Sequence, residues 1–409
     1  MARKPDHRTF GLARGVRCLG MDQPTEPAPA PPGDAPMAVT PFDKSAPPAL
    51  PPRVVTALRV VGQNGQLDLP AEQDAFTLGA APRPVVDLTL AGEAVSRVHA
   101  RLTRKGAKLR VVDLGSTNGT FYKGHRDPDF DVAPGDVFEV SRRVTLLALD
   151  PSLAILRHRL LWVVGLRNHA GADAAIQLIA ANAPILLLGP PGCEQRAIAE
   201  EIHRRSPFND RDFVIAPARF ESRAEQDVTL ARGTRSNVYL DLSGSADRLP
   251  KHFVTELFAH CRPIVAAPTE ARAAEVLDTY ARRLQGIDLA TPASRPDDIP
   301  RLLDALIARE HAEQSQGGEL LALAALGEAN IAALKAQPWP GHFNDLRRQV
   351  KRLHALLTNG ARARPAARAL GLKSVASLIE ALDRIGVHVS PSDADALLLA
   401  DRATDTTPP

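Results

Sequence analysis

The sequence predicts a multidomain protein in which a β-sandwich is followed by an α/β core with a helical lid and then by a small pair of helices. Residues 53–150 contain short β-branched segments at regular spacing, separated by Gly, Pro, Asp and Asn turns, which is typical of a sandwich. After about residue 155, apolar strand-like runs alternate with helical stretches, as in a parallel α/β sheet. From about residue 298 the pattern is helical, with a break at 338–341.

The individual strands are predicted from β-branched or continuously apolar segments that end at turn-forming residues. In the sandwich they fall at 54–61, 75–78, 100–103, 109–112 and 144–149. In the α/β core they fall at 184–188, 238–242 and 263–267. The predicted domain bounds are 1–52 for a disordered Pro-rich leader, 53–150 for the sandwich, 155–300 for the α/β core, 301–358 for the lid, 362–390 for the helical pair and 391–409 for a tail.

The composition restricts the class of protein. The 50 basic and 47 acidic side chains give a net charge of +3, which argues against a protein that coats nucleic acid but leaves room for a small basic module. The three cysteines, Cys18, Cys193 and Cys261, form neither a disulfide framework nor a metal-binding spacing, which favours a reducing cytoplasm and no metal. The longest apolar runs, 160–165 and 185–188, are too short to span a membrane.

Two short segments of the predicted sandwich carry binding chemistry. A Ser-Arg-x-His pattern stands at 96–99, and Asp-x-Gly-Ser-Thr-Asn-Gly-Thr stands at 113–120. Ser, Arg and Asn side chains on neighbouring loops can together hold a phosphate and the peptide backbone beside it. The two patterns at this spacing resemble the forkhead-associated (FHA) domain, whose loops bind phosphothreonine.

The resemblance implies a role for each matching residue. It assigns Ser96 to the phosphate and Asn118 to the ligand backbone, with Arg97 adding a charged contact. Thr117 is a further residue that it implies binds the phosphopeptide. It also implies that four residues shape the loops, namely Gly79, His99, Gly115 and Gly119.

One position departs from the FHA pattern. The family usually has Gly-Arg after an early strand, and that arginine holds the phosphate, whereas here the pair is Gly79-Ala80. Arg83, three residues further on, is the candidate replacement. Two alternatives therefore stay open, a phosphothreonine reader and an interaction module that does not require phosphate.

Residues 184–358 resemble the AAA+ domain of sigma-54-dependent (NtrC-like) transcription activators. The segments that carry the resemblance are Gly-Pro-Pro-Gly-Cys-Glu-Gln-Arg at 189–196, Ser-Arg-Pro-Asp-Asp-Ile-Pro at 294–300 and Trp-Pro-Gly-His-Phe-Asn-Asp-Leu-Arg at 339–347. The first stands where a phosphate-binding P-loop belongs. The second stands where the family connects the α/β core to the lid, and the third stands where the family has its sensor segment.

The chemistry of that family is missing at several positions. A P-loop needs a second glycine and a lysine, and this chain has Glu194 and Gln195 there. Leu242 after Asp241 replaces a catalytic glutamate, Asn344 replaces the sensor arginine, and only a short connection at 220–237 stands where the sigma-contacting loop belongs. We therefore predict a pseudo-ATPase without a cofactor, the alternatives being nucleotide binding without turnover and an AAA+ activator with unusual motifs. The vestigial site would consist of Gly189, Gly192, Gln195 and Asp241.

Residues 365–387 resemble the Fis-type helix-turn-helix that ends NtrC-like activators. The residues that could contact DNA are Lys373, Ser377 and Arg384. The alternative is a helical dimerisation hairpin.

Together these features predict a cytoplasmic regulator of transcription that responds to threonine phosphorylation and has no ATPase activity. Its partners would be a phosphothreonine-containing protein, DNA, and a further copy of this chain or another AAA+ protein. The competing hypothesis is a phosphopeptide-binding scaffold that does not bind DNA.

Overall fold

The computed structural model describes residues 53–217, 219–244, 248–314 and 320–389. All of them belong to one compact unit of the chain, Thr40–Pro409. The predicted leader at 1–52 and tail at 391–409 lie outside the described residues.

The predicted sandwich consists of two sheets whose inner faces share one apolar core, which includes Leu58, Phe76, Leu102 and Phe138. The strands are β1 (Ala57–Val60), β2 (Gln66–Asp68), β3 (Ala75–Gly79), β4 (Leu88–Thr89), β5 (Ala100–Lys105), β6 (Lys108–Asp113), β7 (Thr120–Tyr122), β8 (His125–Arg126), β9 (Asp129–Val132), β10 (Val137–Val140) and β11 (Val144–Leu149). The six-stranded sheet has the order β2-β1-β11-β10-β7-β8, and the five-stranded sheet has the order β4-β3-β5-β6-β9.

Strand β11 is buried on both of its faces. Because side chains alternate along a strand, Leu146 and Ala148 face the sandwich core while Leu147 and Leu149 face the opposite way. The second pair packs against two helices, α1 (Pro151–Val164) and α2 (His169–Ala180). The sandwich and the α/β core are therefore joined by a common apolar layer.

Helix α1 follows β11 directly, four residues before the predicted start of the α/β core. Asp150 caps it by accepting a 2.7 Å hydrogen bond from the Leu153 N–H, and Pro151 occupies the first turn, where no N–H is needed. The apolar run at 160–165 lies at the end of this helix.

The α/β core contains a five-stranded parallel sheet, so the prediction of a parallel α/β domain is confirmed. The elements are β12 (Ile185–Leu188), α3 (Gln195–Arg204), β13 (Val214–Ile215), α4 (Arg223–Gly233), β14 (Asn237–Asp241), α5 (Lys251–His260), β15 (Arg262–Ala267), α6 (Glu270–Leu277) and β16 (Gln285–Asp288). The strand order is β13-β14-β15-β12-β16, so the first strand in the chain, β12, is an inner strand that lies between β15 and β16.

The helices that follow β16 pack around one apolar core, although the sequence predicted a lid and a separate helical pair. Residues of the lid, such as Leu302 and Leu353, belong to the same buried cluster as Ala366, Leu378 and Leu382 of the last two helices. The helices are α7 (Ile299–Glu313), α8 (Glu328–Ala336), α9 (Phe343–Thr358), α10 (Ala363–Ala369) and α11 (Val375–Asp383). Across the described ranges, no helix combines the length and the apolar character needed to cross a bilayer.

Candidate functional site

The two predicted ligand loops are joined at one end of the sandwich. The Thr117 N–H donates to Ser96 Oγ over 3.1 Å, and Asn118 Nδ2 donates to the Ala94 carbonyl oxygen over 2.8 Å. Ser96 is half-buried, whereas Thr117 and Asn118 are exposed. Within the described residues, the Ser96 hydroxyl hydrogen and Asn118 Oδ1 have no partner, so one can donate to a phosphate and the other can accept from a peptide N–H.

His99 braces these loops from below. It is fully buried, its Nδ1 accepts from the Ser96 N–H over 3.1 Å, and its Nε2 lies 3.2 Å from the Gly119 carbonyl oxygen. Burial lowers the pKa of His99, against the opposing effects of the Gly119 carbonyl and Asp113. These partners assign a neutral ring with its proton on Nε2.

The loop after β3 contacts the Ser96 loop through its backbone. The Ala80 N–H donates to the Ser96 carbonyl oxygen over 2.9 Å, and the Ala81 N–H donates to that of Arg97 over 3.0 Å. A Cβ at Gly79 would lie 2.2 Å from the Arg97 oxygen, so only glycine fits there. The Ala80 methyl group packs against the sandwich core and offers no cation.

The second ligand loop is shaped by Asp113. Its carboxylate accepts from the Gly115 N–H over 2.9 Å, and from the N–H and hydroxyl of Ser116 over 2.7 Å each. Burial would raise the pKa of Asp113, but the hydrogen bonds from Ser116, with smaller effects of His99 and Gly115, together lower it. Gly115 and Gly119 adopt φ values of +80° and +77°, which favour glycine.

Three exposed arginines surround the loops. Arg83 donates from Nε to the Asp87 carbonyl oxygen over 2.9 Å, and the Arg97 side chain has no partner within the described residues. Arg126, which the sequence reasoning missed, lies against Gly119. No motif marks Arg126, because only the pairing of β8 with β7 brings it to the loop.

The segment in the P-loop position is in direct contact with the lid. The Phe343 N–H donates to the Gly192 carbonyl oxygen over 3.2 Å, and a Cβ at Gly192 would lie 2.9 Å from the Gly341 oxygen and 3.2 Å from Asn344 Nδ2. Gly192 has a φ of +94°, so both the turn and the close approach require glycine. Lid backbone therefore abuts the loop.

The two replacement residues of this loop are bonded within the protein. Gln195 Nε2 donates to the carbonyl oxygens of Gly189 and Pro190 over 2.9 and 2.6 Å. The Glu194 carboxylate accepts from Arg347 Nη2 of α9 over 2.7 Å, with Glu194 only 4% exposed and Arg347 43% exposed. Burial raises the pKa of Glu194, and Arg347 opposes that rise.

At the position of the P-loop lysine, this segment carries no positive charge. A buried carboxylate opposes the charge of phosphates, and the amide of Gln195 supplies no cation. Asp241 is exposed at the end of β14 and accepts from the Ser243 N–H over 2.9 Å, while Leu242 is buried. In the described part of the chain, no three His, Cys, Asp or Glu residues are grouped as metal ligands would be.

The predicted DNA contacts lie on or beside α11. Lys373 and Ser377 are exposed, but Arg384 forms an ion pair with Glu380 one turn earlier. Leu378 and Leu382 of α11 are buried in the apolar core that α11 shares with the lid. The helical pair thus extends the lid.

The comparisons with known proteins agree with the sandwich. Residues 76–141 match the family model of the FHA domain, so the chain contains an FHA domain. The structure of the FHA domain of the CT664 protein from Chlamydia trachomatis is 22% identical, covers 23% of this chain and 95% of that chain, and has a TM-score of 0.21. Mycobacterium tuberculosis EmbR, solved with a low-affinity phosphopeptide, is 22% identical over 24% of each chain, with a TM-score of 0.21.

A longer similarity involves NtrX from Brucella abortus, solved in complex with ATP. It is 16% identical, covers 58% of this chain and 68% of that chain, and has a TM-score of 0.36. A search of curated proteins gave no match.

Proposed function

We propose that the protein is a phosphothreonine-responsive regulator of transcription that does not hydrolyse ATP. The observation that carries the proposal is the pair of joined loops in which Ser96 and Asn118 keep one hydrogen-bonding group each free for a ligand. A hydroxyl donor beside exposed Arg97 suits a phosphate dianion, and an amide oxygen one loop away suits the peptide backbone. The FHA match at 76–141 supports the same ligand class.

A phosphothreonine peptide library titrated against the full chain tests this proposal. We expect the tightest peptides to lose about tenfold or more in affinity when their phosphate is removed, because charge-assisted hydrogen bonds are the strong ones. Ser96→Ala and Asn118→Ala should each weaken binding, and only Ser96→Ala should also reduce the advantage of phosphorylation. Equal affinity for phosphorylated and unphosphorylated peptides would show that the module does not read phosphate.

The absence of ATP turnover is proposed from the P-loop segment. Glu194 and Gln195 are held by Arg347 and by loop carbonyls, and lid backbone lies against Gly192. Phosphoryl transfer depends on positioned cations at this place. We expect the full chain to release phosphate from ATP at the background rate. Turnover above background that disappears in Asp241→Ala would contradict the proposal.

A second candidate function is a phosphopeptide-binding scaffold that does not contact DNA. It is favoured by the ion pair that occupies Arg384 and by the burial of Leu378 in the lid core. The transcription proposal requires salt-dependent binding of DNA by the full chain. If DNA binding is absent while phosphopeptide binding persists, the scaffold is the better assignment.

A further inference from the structure

One stretch of the lid and of the helices that follow it carries an excess of positive charge. Residues 346–379, which run from α9 through α10 into α11, contain eight Arg or Lys side chains and no Asp or Glu. They contribute +8 to a chain whose net charge is +3, so the rest of the chain is net acidic. A local excess of this kind creates a surface that attracts polyanions. Of the predicted DNA contacts, only Lys373 carries one of these charges.

Helix α9 carries two of the cations on the side that faces away from the lid core. Leu346 and Val350 lie on its buried stripe, whereas Arg348 and Lys351 are exposed on the opposite stripe. Ala355, one turn after Lys351 on the same outer stripe, is only 4% exposed. Helix α10 packs against α9, and we attribute the cover over Ala355 to it. The outer stripe of α9 therefore leads directly to α10.

Half of the eight cations are not used within the protein. Four have no hydrogen bond or ion pair among the residues that the structure describes, namely Lys351, Arg364, Arg368 and Lys373. Arg364 is half-buried and the other three are exposed. Because none of them has to leave an internal partner first, each can neutralise a phosphate. We call these four residues the basic face.

The exposed side of α11 suits an anion less well. Glu380 and Asp383 are exposed there, and they pair with Arg384 and His388. Two carboxylates on this surface repel phosphates. The uncommitted positive charge therefore lies on α9, on α10 and in the turn before α11, rather than along α11 itself.

We propose that the basic face binds duplex DNA through its phosphates, independently of base sequence, with the duplex lying across α9 and α10. The proposal rests on the proposed function and deepens it, because a regulator of transcription needs a surface for DNA. The argument for this partner is charge complementarity between a row of cations and a regular row of phosphates. Since α9 belongs to the lid, DNA bound in this way contacts the lid directly.

The residue types of this stretch favour a duplex over other polyanions. Residues 346–379 contain no Phe, Tyr or Trp, whereas proteins that bind single strands without sequence preference stack the bases on such side chains. A lipid surface would require exposed apolar side chains, and Leu372 is the one large example within 346–379. Phosphate contacts from packed helices position a protein on a duplex without reading its sequence.

The test uses the full chain and fluorescein-labelled duplexes of several unrelated sequences, with binding followed by anisotropy. Four phosphate contacts give a slope of about −3.6 for log affinity against log salt, so affinity should fall about a hundredfold between about 50 and 200 mM salt. The affinities of the different duplexes should be similar. Single-stranded DNA and phosphatidylserine vesicles should bind more weakly, and tighter binding of either would overturn the assignment to a duplex.

Paired variants assign the effect to the basic face. Lys351→Gln with Arg368→Gln removes one charge from α9 and one from α10, and should make the slope less negative by about 2. Arg282→Gln with Arg301→Gln removes the same charge from exposed positions after α6 and on α7, outside the basic face, and should preserve the slope. Melting temperatures equal to wild type confirm that both variants are folded.

The outcomes separate this inference from the proposed function. Ser377→Ala with Arg384→Gln tests the arrangement in which α11 reads bases. If that variant loses more affinity than the basic-face variant, or if the basic-face variant binds like its control, the inference is wrong and the proposed function stands. If the full chain shows no salt-dependent binding of any duplex, the inference and the transcription role both fail, and the phosphopeptide titration still decides the scaffold.

Discussion

Replacing Asp173 with alanine is expected to lower the free energy of unfolding by about 3–5 kcal/mol, because it leaves a buried guanidinium without its counter-charge. Asp173 Oδ1 accepts from Arg157 Nε over 2.5 Å, and the two side chains are 0% and 5% exposed. Asp173 Oδ2 accepts from the N–H of Gly62, in the turn after β1, over 2.9 Å. One carboxylate thus bonds α1, α2 and the sandwich together.

Urea denaturation followed by circular dichroism measures this effect. The matched control is Asp131→Ala, which breaks an ion pair with Lys105 whose side chains are 28% and 61% exposed, and which should cost less than about 1 kcal/mol. The double variant Arg157→Met, Asp173→Leu should recover part of the loss, because apolar residues of similar volume often replace a buried pair at little cost while the Gly62 N–H still lacks its acceptor. A loss below about 1 kcal/mol for Asp173→Ala would contradict the prediction.

The same contact attaches the sandwich to helices α1 and α2. The sandwich packs directly against the α/β core, since Leu147 and Leu149 of β11 belong to the core of that domain. A ligand at the Ser96 loop therefore acts on a domain that is packed against α1 and α2. Phosphopeptide binding should stabilise the sandwich and the α/β core jointly.

The strands of the sandwich could be predicted because their period and turns are local features. The fusion with the α/β core was missed, although the run at 144–149 has few polar residues at alternate positions, as a strand buried on both faces would. The start of α1 also had a signal in Asp150 followed by Pro151. The connection at 220–237 contains helix α4, and its start also had a signal in the sequence. Ser222 caps the helix, and Glu225 stands three residues later, which is the spacing of a capping box.

The candidate sites show where local reasoning ends. The positions of Ser96, His99 and Asn118 follow from short motifs that match a known loop pattern. Arg126 lacks such a motif, and the pair between Glu194 and Arg347 joins residues that are 153 positions apart. These contacts depend on how strands and helices pack, which spacing along one sequence does not encode.

Removing Arg347 should lower the free energy of unfolding more than removing the charge of its partner, Glu194. Arg347→Ala is expected to cost about 2–3 kcal/mol at neutral pH, because it leaves a carboxylate that is only 4% exposed without a counter-charge. Glu194→Gln should cost less than about 1 kcal/mol, since Arg347, 43% exposed, can turn to water. Arg348→Ala is the control, because it removes an arginine that is 72% exposed from a carboxylate, Asp345, that is 16% exposed and also accepts from the Gly341 N–H.

The pH dependence of Arg347→Ala gives a second, independent reading of the same pair. Burial already raises the pKa of Glu194 above its ordinary value of 4.5, and Arg347 is the group that opposes this rise, so the pKa should rise further when Arg347 is removed. The folded variant then holds a proton that the unfolded chain has released, and its stability should fall as pH rises through the folded pKa. Urea denaturation of wild type and variant between about pH 5 and 8 should therefore show a deficit that is small in acid and grows toward neutral pH. Equal costs for Arg347→Ala and Glu194→Gln, or a deficit that does not change with pH, would mean that the lid is not held to the loop by this buried charge.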